Sequence, residues 1–288
     1  MGKSSRDIAY MQEALALARS SLGKVWPNPS VGCLIVKDGD AVGRGATQEG
    51  GRPHAEIVAL NEAGDRSFGA TAYVSLEPCS HWGESPPCTD ALIEAGIERV
   101  VVAVLDPDIR VNGSGIERLI EAKIAVEIGI CRDEAIDVNA GFFHKVETGR
   151  PLVVVLEPDQ LQTGDLFYGA AFFDALLATL PEWLSLSDTS LDQVMVVVDD
   201  PAIAPADLQK KTAQERQAVW LVTAKGRVPG RLDALRTYLQ TVLEIDGDAS
   251  GAVDSVAFLE TLGGAGLTRV AVSSQSDLAK MLRADGLA

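Results

Sequence analysis

The chain is 288 residues long, with 47% hydrophobic and 23% charged residues and a formal net charge of −16. Both halves are acidic, which argues against polynucleotide substrates, because their binding rests largely on Lys and Arg neutralising phosphates. Four cysteines are too few for a disulfide framework and point to a reducing, cytoplasmic compartment.

Residues 1–20 carry charges throughout and lack the apolar core of a signal peptide. Nothing approaches the roughly eighteen apolar residues of a membrane span. The length leaves room for two domains, each able to bury a core.

Residues 6–22 (RDIAYMQEALALARSSL) place apolar side chains at helical spacing and end before Gly23, which suits a helix C-cap. Strand candidates VGCLIVK and AVGRGAT follow, separated by Asp38-Gly39-Asp40; an Asp-Gly pair between apolar runs is a hairpin signal. The triplet His54-Ala55-Glu56 opens a helix that runs to about Ala63 and is closed by Gly64. The apolar strand ATAYVSLE delivers Pro78-Cys79, residues Ser80 to Pro87 loop out, and Cys88 starts the helix CTDALIEAG. Both cysteines are expected at helix N-termini, where the helix dipole and its N–H groups favour thiolates.

Strand RVVVAVLD, the turn-rich DPDIRVNGSG, helix IERLIEAK, strand IAVEIGI and a single helix DEAIDVNAGFFHKVE complete this half. Alternating strands and helices after an N-terminal hairpin predict a sheet with helices on both faces. Cys33 lies inside one apolar run and Cys131 follows another, so both are expected buried and inert.

The chemistry concentrates between His54 and Cys88. A histidine and two thiolates, His54, Cys79 and Cys88, supply three ligands for one Zn²⁺ per chain and leave a fourth position open for water. Zinc lowers the pKa of such a water towards neutrality. Glu56, two residues after the histidine, is the catalytic proton shuttle: in the H-x-E pattern it is not a ligand and carries protons from water to a leaving amine. Side chains at i and i+2 of a helix diverge, so His54 and Glu56 reach one site only from a first turn.

The run PCSHWGESPPC after H-A-E resembles the deaminase domain of the bifunctional riboflavin-biosynthesis deaminase/reductase family, whose motif reads H-A-E followed by P-C-S-H-x-G-x-x-P-P-C. Asn28-Pro29-Ser30-Val31-Gly32 is similar to the family's N-P-x-V-G. Asp106-Pro107 with Gly113-Ser114-Gly115 is similar to D-P-N-P-x-V-x-G-x-G, and Asn139-Ala140-Gly141-Phe142-Phe143 to N-x-G-F-F. The resemblance covers about the first 150 residues. It implies a three-layer α/β/α cytidine-deaminase-like domain that deaminates a small aminopyrimidine ribose phosphate.

By the same resemblance, Asn28, Ala55, His81 and Asp106 belong to the substrate site. Three further substrate positions depart from the family: Thr47 replaces a histidine, Glu84 replaces the Lys or Arg expected near the substrate phosphate, and Asp108 replaces an asparagine. Two of these changes put negative character where an anion binds. Cations such as Arg52 or Arg110 compensate, or the substrate is a dephosphorylated or different pyrimidine.

Thr148-Gly149-Arg150-Pro151 reads as a linker between a deaminase domain (1–147) and a second domain (152–288). Strand candidates LVVVLE, VMVVVDD, AVWLVTA, TVLEID and TRVAVSS alternate with helical stretches near 168–180, 206–216, 230–240, 254–264 and 276–286. This pattern predicts an α/β domain with a mostly parallel sheet.

The family carries here a reductase similar to dihydrofolate reductase, which binds NADPH. Asp199-Asp200-Pro201 and the helix FLETL echo it. The family's lysine and serine are missing from VLEPDQLQTGD, and its V-E-G-G-x-x-L has become Val272-Ser273-Ser274-Gln275-Ser276-Asp277-Leu278. Gly263-Gly264-Ala265-Gly266 follows a helix rather than a strand and lacks the context of a dinucleotide motif.

A degenerate reductase-like domain is therefore expected, without NADPH, kept for folding or for a homodimer interface. The partners implied are a small-molecule pyrimidine, with no nucleic acid and no membrane. A non-catalytic protein holding structural zinc is the rival from another class, and the intact Glu56 speaks against it.

Overall fold

A computed structural model of the chain describes residues 5–83, 85–108, 112–157, 160, 173–185, 193–199, 202–212, 218–225, 231–239, 241–247 and 253–288. The chain divides into two compact units, Met1–Glu147 and Thr148–Ala288. Among the described residues no helix is long and apolar enough to cross a membrane.

The first unit is built on a five-stranded sheet: β1 (Gly32–Lys37), β2 (Asp40–Ala46), β3 (Thr71–Val74), β4 (Arg99–Val102) and β5 (Ala125–Ile128), in the order β2-β1-β3-β4-β5. The Asp-Gly hairpin forms, with β1 antiparallel to both β2 and β3, while β3, β4 and β5 run parallel. The starts of β1 and the ends of β2, β3 and β4 therefore share one edge. That edge is where open α/β sheets bind ligands.

Glycines let two helices approach this sheet closely. A Cβ on Gly32 would lie 1.8 Å from the Ala14 carbonyl oxygen in the helix Ser5–Ser20. One on Gly45 would lie 2.0 Å from the Ala55 carbonyl oxygen in the helix Ala55–Ala63. Gly45 pairs with Cys33, the neighbour of Gly32. Successive residues of a strand face opposite sides, so the two helices cover opposite faces and the unit has three layers. Leu34, Ile35, Leu76, Val101 and Leu119 are among its buried core residues.

Two local expectations are corrected. The predicted helix 133–147 is two helices, Arg132–Val138 and Ala140–Thr148. Between them the buried Asn139 accepts the Ser30 N–H at 2.9 Å and donates to the Ser30 carbonyl at 3.0 Å. A pair of tertiary hydrogen bonds there outweighs one more helical turn. Cys131, expected buried, is partly exposed and caps the first of these helices with φ 55°; Cys33 is fully buried.

Among the described residues the second unit holds six strands, all paired in parallel: β6 (Leu152–Leu156), β7 (Ala175–Thr179), β8 (Val194–Val198), β9 (Val219–Ala224), β10 (Thr241–Ile245) and β11 (Arg269–Ser273). Their order is β10-β9-β8-β7-β11-β6. The helical stretch expected near 168–180 is wrong where it can be compared. Residues 175–179 (ALLAT) are a strand between β8 and β11, and residues 168–172 lie outside the described residues. Ala and Leu favour helix intrinsically. A short apolar run buried on both faces cannot be told from a buried helix by periodicity, and here the sheet decides. The helix starts later, at Leu180–Ser185, with Pro181 in its first turn.

Candidate active site

The helix Ala55–Ala63 begins at the ligand edge of the sheet, with His54 as its extended N-cap (φ −68°, ψ 158°) and Glu56 in its first turn. Beyond the end of β3 the chain runs through Glu77 and Pro78 to Cys79. After the loop, Cys88 is the first residue of the helix Cys88–Glu94. These segments bring one ligand atom each from His54, Cys79 and Cys88 within 4.8 Å of one another.

His54 Nδ1 lies 3.3 Å from Cys88 Sγ and 3.7 Å from Cys79 Sγ. A tetrahedral zinc with Zn–N near 2.0 Å and Zn–S near 2.3 Å separates its nitrogen and sulfur ligands by about 3.6 Å. The donor types and spacings therefore fit the ion.

The expectation that Cys79 opens a helix is corrected: it sits in an irregular segment outside any helix or strand, and only Cys88 opens a helix. The helix nevertheless acts on Cys79, because the Cys88 backbone N–H donates to Cys79 Sγ at 3.3 Å. The thiolate thus receives a free N–H at the positive end of the helix.

The titrations follow from this geometry. The Cys88 thiol donates to Cys79, and that bond most of all draws the Cys79 pKa down to about 4. The same bond, with burial, pushes Cys88 far above the ordinary thiol value. His54 is raised, first by its hydrogen bond to Cys79. One sulfur is thus drawn towards the thiolate while the other holds its proton beside His54. A dication must displace that proton to bind both sulfurs.

Glu56 is 3% exposed, and its carboxyl is pushed up to about 7, chiefly by burial and next by the negative charge on Cys79. It lies within hydrogen-bonding reach of the Cys88 thiol. A carboxyl that titrates near neutral pH, held against the ligand cluster, is suited to accept and return a proton.

The predicted substrate residues fall in two groups. Asp106 follows the end of β4; it is half-buried, its carboxyl is raised mainly by burial, and the charge of His81 opposes that shift. Asp108 donates its N–H to the Asp106 carboxylate at 2.9 Å. Asn28 packs against Gly51, whose Cβ, if present, would lie 1.9 Å from the Asn28 amide nitrogen.

Thr47 and Ala55 form the other group, being buried. The Thr47 hydroxyl is engaged with backbone, accepting from Val31 N–H at 3.0 Å. Ala55 supports the contact with Gly45. Glu84 and Arg110 lie outside the described residues.

Two residues were not singled out for the roles they play here. Glu77, 4% exposed, accepts backbone N–H groups from Asp106 (3.3 Å), Gly113 (3.0 Å) and Gly115 (2.9 Å), and so holds the loop carrying Asp106 against the segment carrying Cys79. The available signal is a carboxylate immediately before Pro-Cys at the end of an apolar strand. Ser75 is fully buried and accepts the Gly32 N–H at 3.0 Å, joining β3 to the start of β1.

Comparison with known proteins agrees with this geometry. Residues 4–104 match the family described as the cytidine and deoxycytidylate deaminase zinc-binding region. The chain is 48% identical over 149 residues to a riboflavin biosynthesis protein RibD of Aquifex aeolicus; the match covers 52% of this chain and 42% of that protein, so the chain spans less than half of that relative.

It is 46% identical over 145 residues to a diaminohydroxyphosphoribosylamino-pyrimidine deaminase of Buchnera aphidicola, covering 50% of this chain and 99% of that one. Among solved structures, Acinetobacter baumannii RibD superposes with a TM-score of 0.74 at 30% identity, covering 98% of this chain and 84% of the other.

Proposed function

Because the chain belongs to the RibD family of riboflavin-biosynthesis proteins, we propose that its first unit hydrolytically deaminates an aminopyrimidine bearing a phosphoribosyl group. The observation that carries this reading is the convergence of His54, Cys79 and Cys88 on one point, with the buried Glu56 carboxyl against them. His54 Nδ1 and the two sulfurs would hold Zn²⁺, which when bound supplies the Lewis acidity that activates a water.

Glu56 would take a proton from the attacking water as the water oxygen bonds to the amine-bearing ring carbon. It then delivers the proton to the departing nitrogen, so that water is consumed and ammonia leaves. Asp106, with its N–H held by Glu77, and His81 frame the side where pyrimidine and ribose groups are read. Asn28 closes the site beside Gly51.

We infer separately that the second unit is a reductase-like domain that has lost its cofactor site. After β11, where the family's glycine-rich cofactor segment falls, the helix Asp277–Ala284 starts behind Ser276. Its N-terminal donors are engaged: Asp277 N–H donates to Glu182 Oε1 at 3.1 Å and Leu278 N–H to Ser276 Oγ at 3.1 Å. Ser276 Oγ and Thr179 N–H donate to Glu182 Oε2 at 2.9 and 2.7 Å. A dinucleotide phosphate would have to displace this carboxylate against like-charge repulsion. The engaged donors among the described residues support a reading in which this domain takes no NADPH, and no hydride step is assigned to it.

The deciding experiment is ammonia release by the zinc-loaded chain supplied with the phosphoribosyl diaminohydroxypyrimidine. Turnover of that compound supports the assignment; failure to release ammonia from it refutes the assignment.

A further inference from the structure

We propose that Asn139 is a positioning residue for the substrate site: it grips the main chain at Ser30 and, through Pro29, sets where Asn28 stands. The inference rests on the reading above, in which Asn28 closes the pyrimidine site beside Gly51. It gives a role in the reaction to a residue that touches no substrate and lies 109 residues beyond Ser30.

Three consecutive N–H groups follow the Asn28-Pro29 pair, and each meets a side-chain oxygen from a different part of the first unit. Ser30 N–H donates to Asn139 Oδ1 at 2.9 Å, Val31 N–H to Thr47 Oγ1 at 3.0 Å and Gly32 N–H to Ser75 Oγ at 3.0 Å. Asn139 stands between two helices, Thr47 follows β2 and Ser75 follows β3. All three acceptor residues are buried.

Asn139 also donates from Nδ2 to the Ser30 carbonyl at 3.0 Å, so its one amide fixes both polar groups of that residue. The Ser30 hydroxyl is held as well, 2.6 Å from the Ala18 carbonyl and 2.6 Å from Ser21 Oγ. Burying an amide is favourable only where its groups are paired. Here both pairs go to the residue that follows Asn28-Pro29.

The grip reaches Asn28 because the intervening chain is stiff. The Pro29 ring fixes its own φ, and its Cδ keeps the preceding residue out of the helical region. Asn28 N–H is itself tied to the Val25 carbonyl at 3.0 Å. Few torsions remain between Ser30 and the Asn28 side chain, whose amide abuts Gly51 in the segment leading to His54. A displaced Asn28 loses its contacts to the pyrimidine in the ground and transition states alike, so binding suffers more than the chemical step.

The test measures binding of the phosphoribosyl diaminohydroxypyrimidine by calorimetry to the zinc-loaded full chain carrying Glu56→Gln, which stops turnover. On that background Asn139→Leu should weaken binding by at least about tenfold, and so should Asn28→Ala. Both changes together should weaken it no further than Asn28→Ala alone, because Asn139 acts through Asn28. Zinc content and circular dichroism check the fold. Asn139→Asp keeps the acceptor for Ser30 N–H and loses the donor to its carbonyl; it replaces Asn139→Leu if that variant fails to hold zinc, with the same non-additivity expected.

Unchanged binding by the folded Asn139 variant, losses that add in the double variant, or no binding by the Glu56→Gln chain would each overturn the proposal. Non-additive losses in a chain that releases no ammonia once Glu56 is restored would refute the deaminase reading while leaving the positioning role standing.

Discussion

The Glu77 carboxylate receives the Gly115 backbone N–H at 2.9 Å, joining the segment that delivers Cys79 to the first turn of the helix Ser114–Glu121, 38 residues further along the chain. Gly115 must be glycine at this contact, because a Cβ would lie 2.2 Å from the Pro78 carbonyl oxygen, next to the metal ligand. The relationship makes Cys79, a proposed metal ligand, and Asp106, proposed on the substrate side, parts of one braced structure.

Glu77→Ala should leave three backbone donors without their acceptor, at a cost of about 2–4 kcal/mol for a buried charged acceptor. Urea unfolding should show that loss, and Glu77→Gln should recover part of it by keeping one acceptor oxygen. Gly115→Ala should lower zinc affinity without touching a ligand, because Pro78 must move. An unchanged zinc affinity in Gly115→Ala would separate the brace from the metal centre.

Zinc binding should strengthen as pH rises. The Cys88 thiol, held above its ordinary value by Cys79 and by burial, keeps its proton throughout the neutral range when metal is absent. That proton must leave for the sulfur to bind a dication, so each proton displaced makes the affinity rise about tenfold per pH unit. Cys79, drawn down to about 4, is already a thiolate and adds no slope in this range. Competition against a chromophoric chelator at pH 6 and pH 8 measures the slope, and a pH-independent affinity would contradict the shared-proton geometry.

The second unit should not take up NADPH. Glu182 occupies the N–H groups of Asp277 and Thr179 that a phosphate would need. Titration of the full chain with NADPH, followed by nicotinamide fluorescence, should give no saturable change. Saturation in the micromolar range would show that the carboxylate yields its place.

How much of this was legible in the sequence depended on what each residue touches. The convergence of His54, Cys79 and Cys88, with Glu56 beside them, was legible because the metal ligation and proton transfer proposed for them admit few residue types, and a helix start fixes His54 and Glu56 relative to each other. The Asp-Gly hairpin was legible for a similarly local reason.

Asn139 reads as part of one helix until its amide is seen paired with Ser30, more than a hundred residues away. ALLAT reads as helix until β8 and β11 flank it. Glu77 is hydrogen-bonded to backbone N–H groups of a distant loop and helix start, which leave no side-chain signature. Cys79, preceded by Pro78, reads as a helix start but lies in an irregular segment. The N–H of Cys88 gives Cys79 the same electrostatic help without a helix of its own.

The measurement that bears most directly on the deaminase assignment is ammonia release by Glu56→Gln beside the wild type, both loaded with zinc and offered the phosphoribosyl aminopyrimidine. Loss of the proton shuttle should lower kcat by at least about 100-fold while zinc content per chain stays that of the wild type. A Glu56→Gln variant that holds zinc and releases ammonia at the wild-type rate would contradict the role given to Glu56, and with it the chemistry assigned to this site.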